Sequence, residues 1–201
     1  MFDASIRRRL AGPLDAIATR AARLGIGPNV VTFLGLALAL ASAVAAARTA
    51  WPVALVLWLA SRAMDTLDGP VARALDRDSE LGGLLDIISD FVAYGAFVVG
   101  CGIGVPDARV ACLVLLATYY VNGATFLAYS SMVERRGLTD DLADDRSLVF
   151  LRGLAEGSET VVAHSLMASF PTALVTIAWV FAGAVAVTIL QRLARAVRVL
   201  G

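Results

Sequence analysis

Apolar residues recur in runs long enough to approach or cross a lipid bilayer, and short polar turns separate them. A bilayer core needs about 20 mostly apolar residues per helix. Val30–Ala47, Trp51–Met64, Leu84–Ile103, Ala108–Met132, Val149–Phe170 and Thr172–Leu190 are the stretches that meet or come near that demand. They predict an all-α integral membrane protein of about six transmembrane helices. Composition agrees: 59% of the chain is hydrophobic and its mean hydropathy is +0.77, where soluble domains stay at about 45–50% apolar. The aromatic share is only 7%, so Ala, Leu and Val carry the apolarity, as in a helical bundle. A length of 201 residues suits one membrane domain, expected over 28–201, behind a juxtamembrane segment at 1–27.

That segment has its own pattern. Leu10, Leu14, Ile17, Ala18, Ala21 and Leu24 recur at helical spacing, with Arg7, Arg9, Arg20 and Arg23 among them. The pattern predicts an amphipathic helix lying in the membrane interface. It lacks the short apolar core and small-residue cleavage site of a secretory signal. Orientation follows from the arginines, the only basic residues apart from one histidine. With six spans and the N-terminus inside, only Arg48 and Arg109 fall on the outer side, as the positive-inside rule requires. Both termini and the connection between the second and third spans are then expected to face the cytoplasm. Formal net charge is zero, which argues against a nucleic-acid partner. Cys101 and Cys112 lie outside any CxxC spacing and read as small core residues.

The chemistry concentrates at that cytoplasmic connection. Asp65, Asp68, Gly69, Ala72 and Arg73 are followed, after eight residues, by Gly82, Asp86 and Asp90. Asp65 and Asp68 are i and i+3, and Asp86 and Asp90 are i and i+4, so each pair shares one helix face. Gly82 lies one turn before Asp86, where a missing side chain permits close approach. A hydrated loop would account for Asp76, Asp78 and Glu80, but Asp86 and Asp90 continue into the apolar helix. A charged side chain at the centre of a membrane helix costs about 2.5–3.5 kcal/mol, so the four aspartates must share a polar cavity and be neutralised there. Arg73 offsets one charge. Two divalent cations would offset four, and carboxylate oxygens suit Mg²⁺ or Mn²⁺.

At all eight fixed positions this spacing resembles the signature of the CDP-alcohol phosphatidyltransferases. Pro28, Asn29, Val30, Val31 and Thr32 also look like that family, and the segment Gly153–Thr160 is similar to small bacterial inner-membrane members of it. The resemblance implies that Asp65, Asp68 and Asp86 hold two metal ions, and that Asp90 completes the second metal site and acts as general base. It implies that Gly69, Arg73, Ser79 and the stretch Gly27, Pro28, Asn29 and Val30 contact the CDP moiety, with Ala72 and Gly82 keeping space for it. It further implies a homodimer in the inner (plasma) membrane that transfers a phosphatidyl group from CDP-diacylglycerol to an alcohol, releasing CMP.

The acceptor stays open. Phe91, where phospho-alcohol users of the family often carry Lys or Arg, resembles members acting on serine, choline or similar alcohols. Arg152 with Arg135, Arg136 or Arg146 would instead provide a phosphate pocket, as in phosphatidylglycerophosphate or phosphatidylinositol-phosphate synthesis. Glu156 and Glu159 lie inside the fifth span, either lining the acceptor pocket or, for Glu156, bracing Arg152 at i, i+4. His164 reads as a hydrogen-bonded packing residue. The aspartates of the Glu134–Ser147 loop, Asp140, Asp141, Asp144 and Asp145, read as solvated. A transporter or noncatalytic scaffold is the reading from another class; it leaves the four spaced aspartates without a purpose.

Overall fold

The computed structural model describes residues 2–77, 79–136, 154–155 and 157–200, with the side chains of 2–11, 13 and 200 left aside. The acidic loop aspartates, Arg146, Arg152 and Glu156 lie outside the described residues. Among those described the chain is helical, with no strand. Helix α1 spans Phe2–Arg23, α2 Pro28–Ala47, α3 Trp51–Ala74, α4 Glu80–Gly104, α5 Arg109–Arg135, α6 Gly157–Ser169 and α7 Leu174–Leu200. Proline marks the starts: Pro28 opens α2, Pro52 sits in the first turn of α3, and Pro106 and Pro171 open short 3-10 turns leading into α5 and α7. A first-turn proline forfeits no intrahelical bond and presets the helical φ.

Helices α3, α4 and α7 outrun the apolar runs that predicted them, α7 by ten residues past Leu190. α3 continues ten residues past Met64 and passes through Pro70 without ending. Its extension is held because Asp68, Val71 and Ala72 are buried, Val71 against Ala18, Ala21 and Leu75. α4 begins at Glu80, four residues before Leu84, because Ser79 caps it: its Oγ accepts a bond from the Gly82 N–H at 3.1 Å. Hydropathy locates the apolar part of a helix, and these polar ends are invisible to it.

Among the described residues four helical stretches are long and apolar enough to span a bilayer: Pro28–Ala47, Glu80–Gly104, Pro106–Arg135 and Pro171–Val199. Of the other two expected spans, the first is too charged for that standard and the second, Val149–Phe170, lies partly outside the described residues. α3 carries Arg62, Asp65, Asp68 and Arg73, and the described part of α6 has 13 residues. In α1, Ala18 is buried on α3, while Ile17 and Leu24 of the same stripe remain exposed. That leaves apolar surface for an interface.

Consecutive helices run up and down, so the starts of α2, α4 and α6 lie at the same end as the ends of α3, α5 and α7. Arg73, Arg77, Arg135, Arg136, Arg195 and Arg198 gather at that end, and Arg48 and Arg109 mark the other. α2 packs closely on both α3 and α4, which meet each other through side chains such as Trp58 with Tyr94 and Phe97, while α5 packs on α7. Lipid tails are as apolar as the helices, so association rests on close packing and interhelical polar bonds. Gly100 and Gly104 of α4 each face a carbonyl of α2, those of Ala43 and Ala46, and a Cβ at either glycine would collide with that oxygen. Gly35 of α2 lies on the α3 backbone at Ser61 and Asp65. Polar ties add to this: the Ser42 hydroxyl donates to the Ala54 carbonyl at 2.7 Å, and a Thr188 hydroxyl accepts from the Ala155 N–H at 2.8 Å. In the core Trp58, Phe97, Leu115, Met167 and Leu174 are fully buried, and Cys101 and Cys112 are buried free thiols, as expected.

Gly100→Ala and Gly104→Ala are therefore expected to lose about 1–3 kcal/mol through overpacking. Gly183→Ala, whose Cβ would meet open space on α7, should be neutral to stabilising, because Ala is the better helix former. Thermal unfolding of the three variants in detergent checks the contrast.

Candidate active site

Where α3 and α4 part, their facing walls carry the charged residues. Arg62 and Asp65 share a face of α3, and the Arg62 Nη1 donates to Asp65 Oδ1 at 3.3 Å and to Asp90 Oδ1, on the opposite wall, at 2.5 Å. Arg62 is only 8% exposed, whereas the side chains of Asp65 and Asp90 are 28% and 33% exposed. The carboxylates thus open onto the cleft and the guanidinium lies behind them. Its Nη2 donates to Ser61 Oγ at 3.0 Å, and its carbon stands 5.0 Å from the Trp58 ring centroid and 5.2 Å from that of Tyr94. Two carboxylates and two aromatic faces neutralise a cation that bare lipid would not tolerate.

Asp68 is turned differently. Its Oδ2 accepts from the Thr32 hydroxyl of α2 at 2.8 Å and its Oδ1 from the Gly69 N–H at 2.7 Å, and it is 8% exposed. Asp86 is half-buried one turn before Asp90. The structure thus brings Asp65 and Asp90 together on one nitrogen and turns Asp68 toward α2. Among the described residues no three carboxylate, imidazole or thiol groups converge on one point. A hard divalent cation fits the residues present: the four acids provide oxygen donors only, on facing helices, and two of them already surround a positive charge.

The residues expected around the CDP moiety flank the same end. Gly27 caps α2 at its start, with Pro28 following. A Cβ on Gly82 would lie 3.2 Å from Ser79 Oγ and 3.9 Å from Asn29 Oδ1, so the first turns of α2 and α4 adjoin. Ser79 has a structural duty as the cap of α4. Asn29, Val30, Arg73 and Ser79 are exposed, and Ala72 is buried. Arg73 Nη1 lies 3.5 Å from where a Gly69 Cβ would stand, so its guanidinium folds back along its own helix. Two helix N-termini side by side present free N–H groups and the positive ends of their dipoles, an environment that favours anions.

Of Arg152, Glu156 and Glu159 only Glu159 is described, while Arg135 and Arg136, the partners suggested for Arg152, are exposed at the end of α5. Glu159 is half-buried in the first turn of α6 and its Oε2 accepts from the Ser158 hydroxyl at 3.0 Å. α6 begins beside Tyr94: a Cβ on Gly157 would lie 3.9 Å from the Tyr94 hydroxyl oxygen. His164 packs as expected. It is fully buried, its ring stacks on Phe97 at 4.8 Å, and its Nε2 pairs with the Tyr119 hydroxyl at 2.9 Å.

Sequence reasoning overlooked several contacts. Arg62 counts among the cytoplasmic arginines when only topology is weighed, yet it lies inside the bundle. Its signal was available: an arginine three residues before an aspartate within an apolar run. The Thr32–Asp68 bond has no signature that crosses 36 residues. Neither has the seat of Phe91, whose ring stands where a Gly123 Cβ would be, nor the bond from Arg192 Nη1 to Asn122 Oδ1 at 2.8 Å.

Comparison with known proteins bears on this arrangement. Residues 26–199 match the family described as CDP-alcohol phosphatidyltransferase. The chain is 29% identical over 172 residues to the inner membrane protein YnjF of Escherichia coli K12, covering 85% of this chain and 83% of that protein. It is 30% identical over 196 residues to the phosphatidylinositol phosphate synthase of Mycolicibacterium smegmatis, covering 88% and 80% of the two. The fold is shared with the phosphatidylinositol phosphate synthase of Mycobacterium tuberculosis. Its crystal structure with CDP-DAG bound aligns at a TM-score of 0.76 with 23% identity, over 91% of this chain and 92% of that one. Its structure in complex with manganese and citrate aligns at 0.71. The chain, with its fold, its eight-position motif and the cleft that this motif lines, belongs to the CDP-alcohol phosphatidyltransferase family.

Proposed function

We propose that the chain transfers the phosphatidyl group of CDP-diacylglycerol to an alcohol and releases CMP, at the cleft between α3 and α4 on the cytoplasmic side of the membrane. The observation that carries this reading is the meeting of Asp65 and Asp90, from opposite walls, on one positive charge. Carboxylates thus stand on both sides of a space that opens beside two helix N-termini, which supports their reading as metal ligands. The relatives named phosphatidylinositol phosphate synthase, and the structure with CDP-DAG bound, support the same donor.

Asp65, Asp68, Asp86 and Asp90 would hold two Mg²⁺ or Mn²⁺ ions. Bound there, the ions supply the positive charge that neutralises the pyrophosphate and stabilises the departing CMP. The remaining work falls to side chains and backbone. Thr32 fixes one oxygen of Asp68, and the Gly69 N–H fixes the other. Arg73 donates charge-assisted bonds to the pyrophosphate. The first turns of α2 and α4, through Gly27, Pro28, Asn29, Val30, Ser79 and Gly82, receive the nucleotide, and Gly69 and Ala72 leave it room. Asp90 takes the proton of the acceptor hydroxyl. The hydroxyl oxygen forms a bond to the phosphorus that bears the diacylglycerol, and the bond from that phosphorus to the CMP oxygen breaks.

The acceptor has two readings. Phe91 beside the last aspartate favours a small alcohol without a phosphate, such as serine or choline. The phosphorylated alternative draws on the Mycolicibacterium relative and on Arg192, a buried cation tied to Asn122 next to the Gly123 notch. Arg152, Glu156 and Glu159 are assigned to the acceptor side in either case. The arginine-rich end of the bundle is assigned to the cytoplasm, and the family resemblance adds a homodimer.

Asp90→Asn should slow CMP release by about 10²–10⁴-fold, the usual worth of a positioned base, while donor binding persists. Near-normal turnover in that variant would refute the role. Chelation with EDTA should abolish CMP release, and Mn²⁺ or Mg²⁺ should restore it. Offering serine, choline, glycerol 3-phosphate and inositol 1-phosphate with CDP-diacylglycerol, and identifying the lipid product by mass spectrometry, separates the two acceptor classes. No CMP with any acceptor, despite bound metal, would favour a noncatalytic protein.

A further inference from the structure

We infer that Arg62 is a resident counter-ion of the acidic cleft: its guanidinium holds the cation position between Asp65 and Asp90 and yields it when a divalent ion binds. The inference rests on the reading of those aspartates as metal ligands. It concerns a residue outside the eight-position motif and gives it a positioning role.

Three observations carry it. Both carboxylate bonds come from the same nitrogen, Nη1, so one atom stands where the two walls meet. The rest of the guanidinium is held from the other side, by Ser61 through Nη2 and by the Trp58 and Tyr94 ring faces. An arginine that lets go of the carboxylates therefore keeps a hydrogen bond and two aromatic partners. Finally, the Nε of Arg62 is buried with no hydrogen-bond partner among the described residues. A guanidinium placed only to satisfy its own donors would not leave one bare; this one is placed by the acids in front of it.

The chemistry of arginine makes the arrangement an exchange between cations. The guanidinium stays protonated in proteins, so it leaves the carboxylates by moving and not by losing its charge. A cation of higher charge and compact size competes for the same oxygens and wins on Coulomb energy, which grows with charge and falls with distance. Without the ion, the arginine spares two facing carboxylates their mutual repulsion inside an apolar bundle. With the ion, the same side chain remains close behind the ligands as a fixed positive charge.

The test uses the full-length protein purified in detergent, with Mn²⁺ itself as probe. Free Mn²⁺ is followed by electron paramagnetic resonance, and thermal unfolding is recorded in EDTA and in saturating Mn²⁺. Arg62→Gln is expected to bind Mn²⁺ at least ten-fold more tightly than the wild type. It should melt earlier in EDTA and recover most of the deficit when Mn²⁺ is added. A residue that merely braces the helices would lower both melting points alike and leave affinity unchanged or weaker, and that result overturns the inference. If Arg62→Gln does not fold, Arg62→Lys serves. It keeps the charge but loses the planar fork, so it should bind Mn²⁺ about three-fold more tightly; unchanged or weaker binding overturns the inference equally. Asp86→Asn, which leaves Arg62 and both its acids in place, separates the two levels. No Mn²⁺ uptake by the wild type, or uptake indifferent to Asp86→Asn, overturns the metal reading together with the inference. Uptake that needs Asp86 but is not strengthened by either Arg62 substitution overturns the inference alone.

Discussion

A single guanidinium nitrogen joins the acidic faces of α3 and α4, and the aromatic packing between the two helices continues from that junction. Arg62 reaches Asp65 and Asp90 with one edge and rests against Trp58 and Tyr94 with its faces. Trp58 in turn donates its indole N–H to the Val161 carbonyl at 3.4 Å and lies 4.8 Å from the His164 ring. His164 closes the series on Tyr119 of α5. Charge at the mouth of the cleft is thus continuous with the aromatic packing that holds α6 against α3 and α5. Buried polar groups in such surroundings are costly when unpaired, which ties the composition of the core to the acids it must support.

The division between what the sequence disclosed and what it withheld follows the range of the interactions. Helix positions were legible because an apolar run marks a membrane helix locally. The motif was legible because its spacings put Asp65 with Asp68, and Asp86 with Asp90, on shared faces without knowledge of any other helix. What escaped depends on neighbours far away in the chain. Thr32 finds Asp68, Phe91 finds Gly123 and Asn122 finds Arg192 only after the bundle has formed. The length of α3 escaped for another reason: its last ten residues are helical because they pack on α1, and hydropathy carries no record of that partner.

Arg62 is the instructive case. Counted by topology it belongs with the arginines of the cytoplasmic face, and the positive-inside pattern is unaffected by its removal from that group. Weighed by cost, a cation within an apolar stretch demands a partner, and Asp65 stood three residues away. The two ways of reading the same residue differ in whether energy or location is asked first.

The placement of α2 carries a consequence for the cleft beside it. Because α2 fills the space between α3 and α4, the separation of the two acidic walls is fixed by how deeply α2 sinks toward each. Gly100 and Gly104 set that depth on one side and Gly35 on the other, the latter directly against the backbone of Ser61 and Asp65. α2 therefore acts as a gauge block: its bare backbone, more than any acidic side chain, sets the distance across which opposing carboxylates must reach.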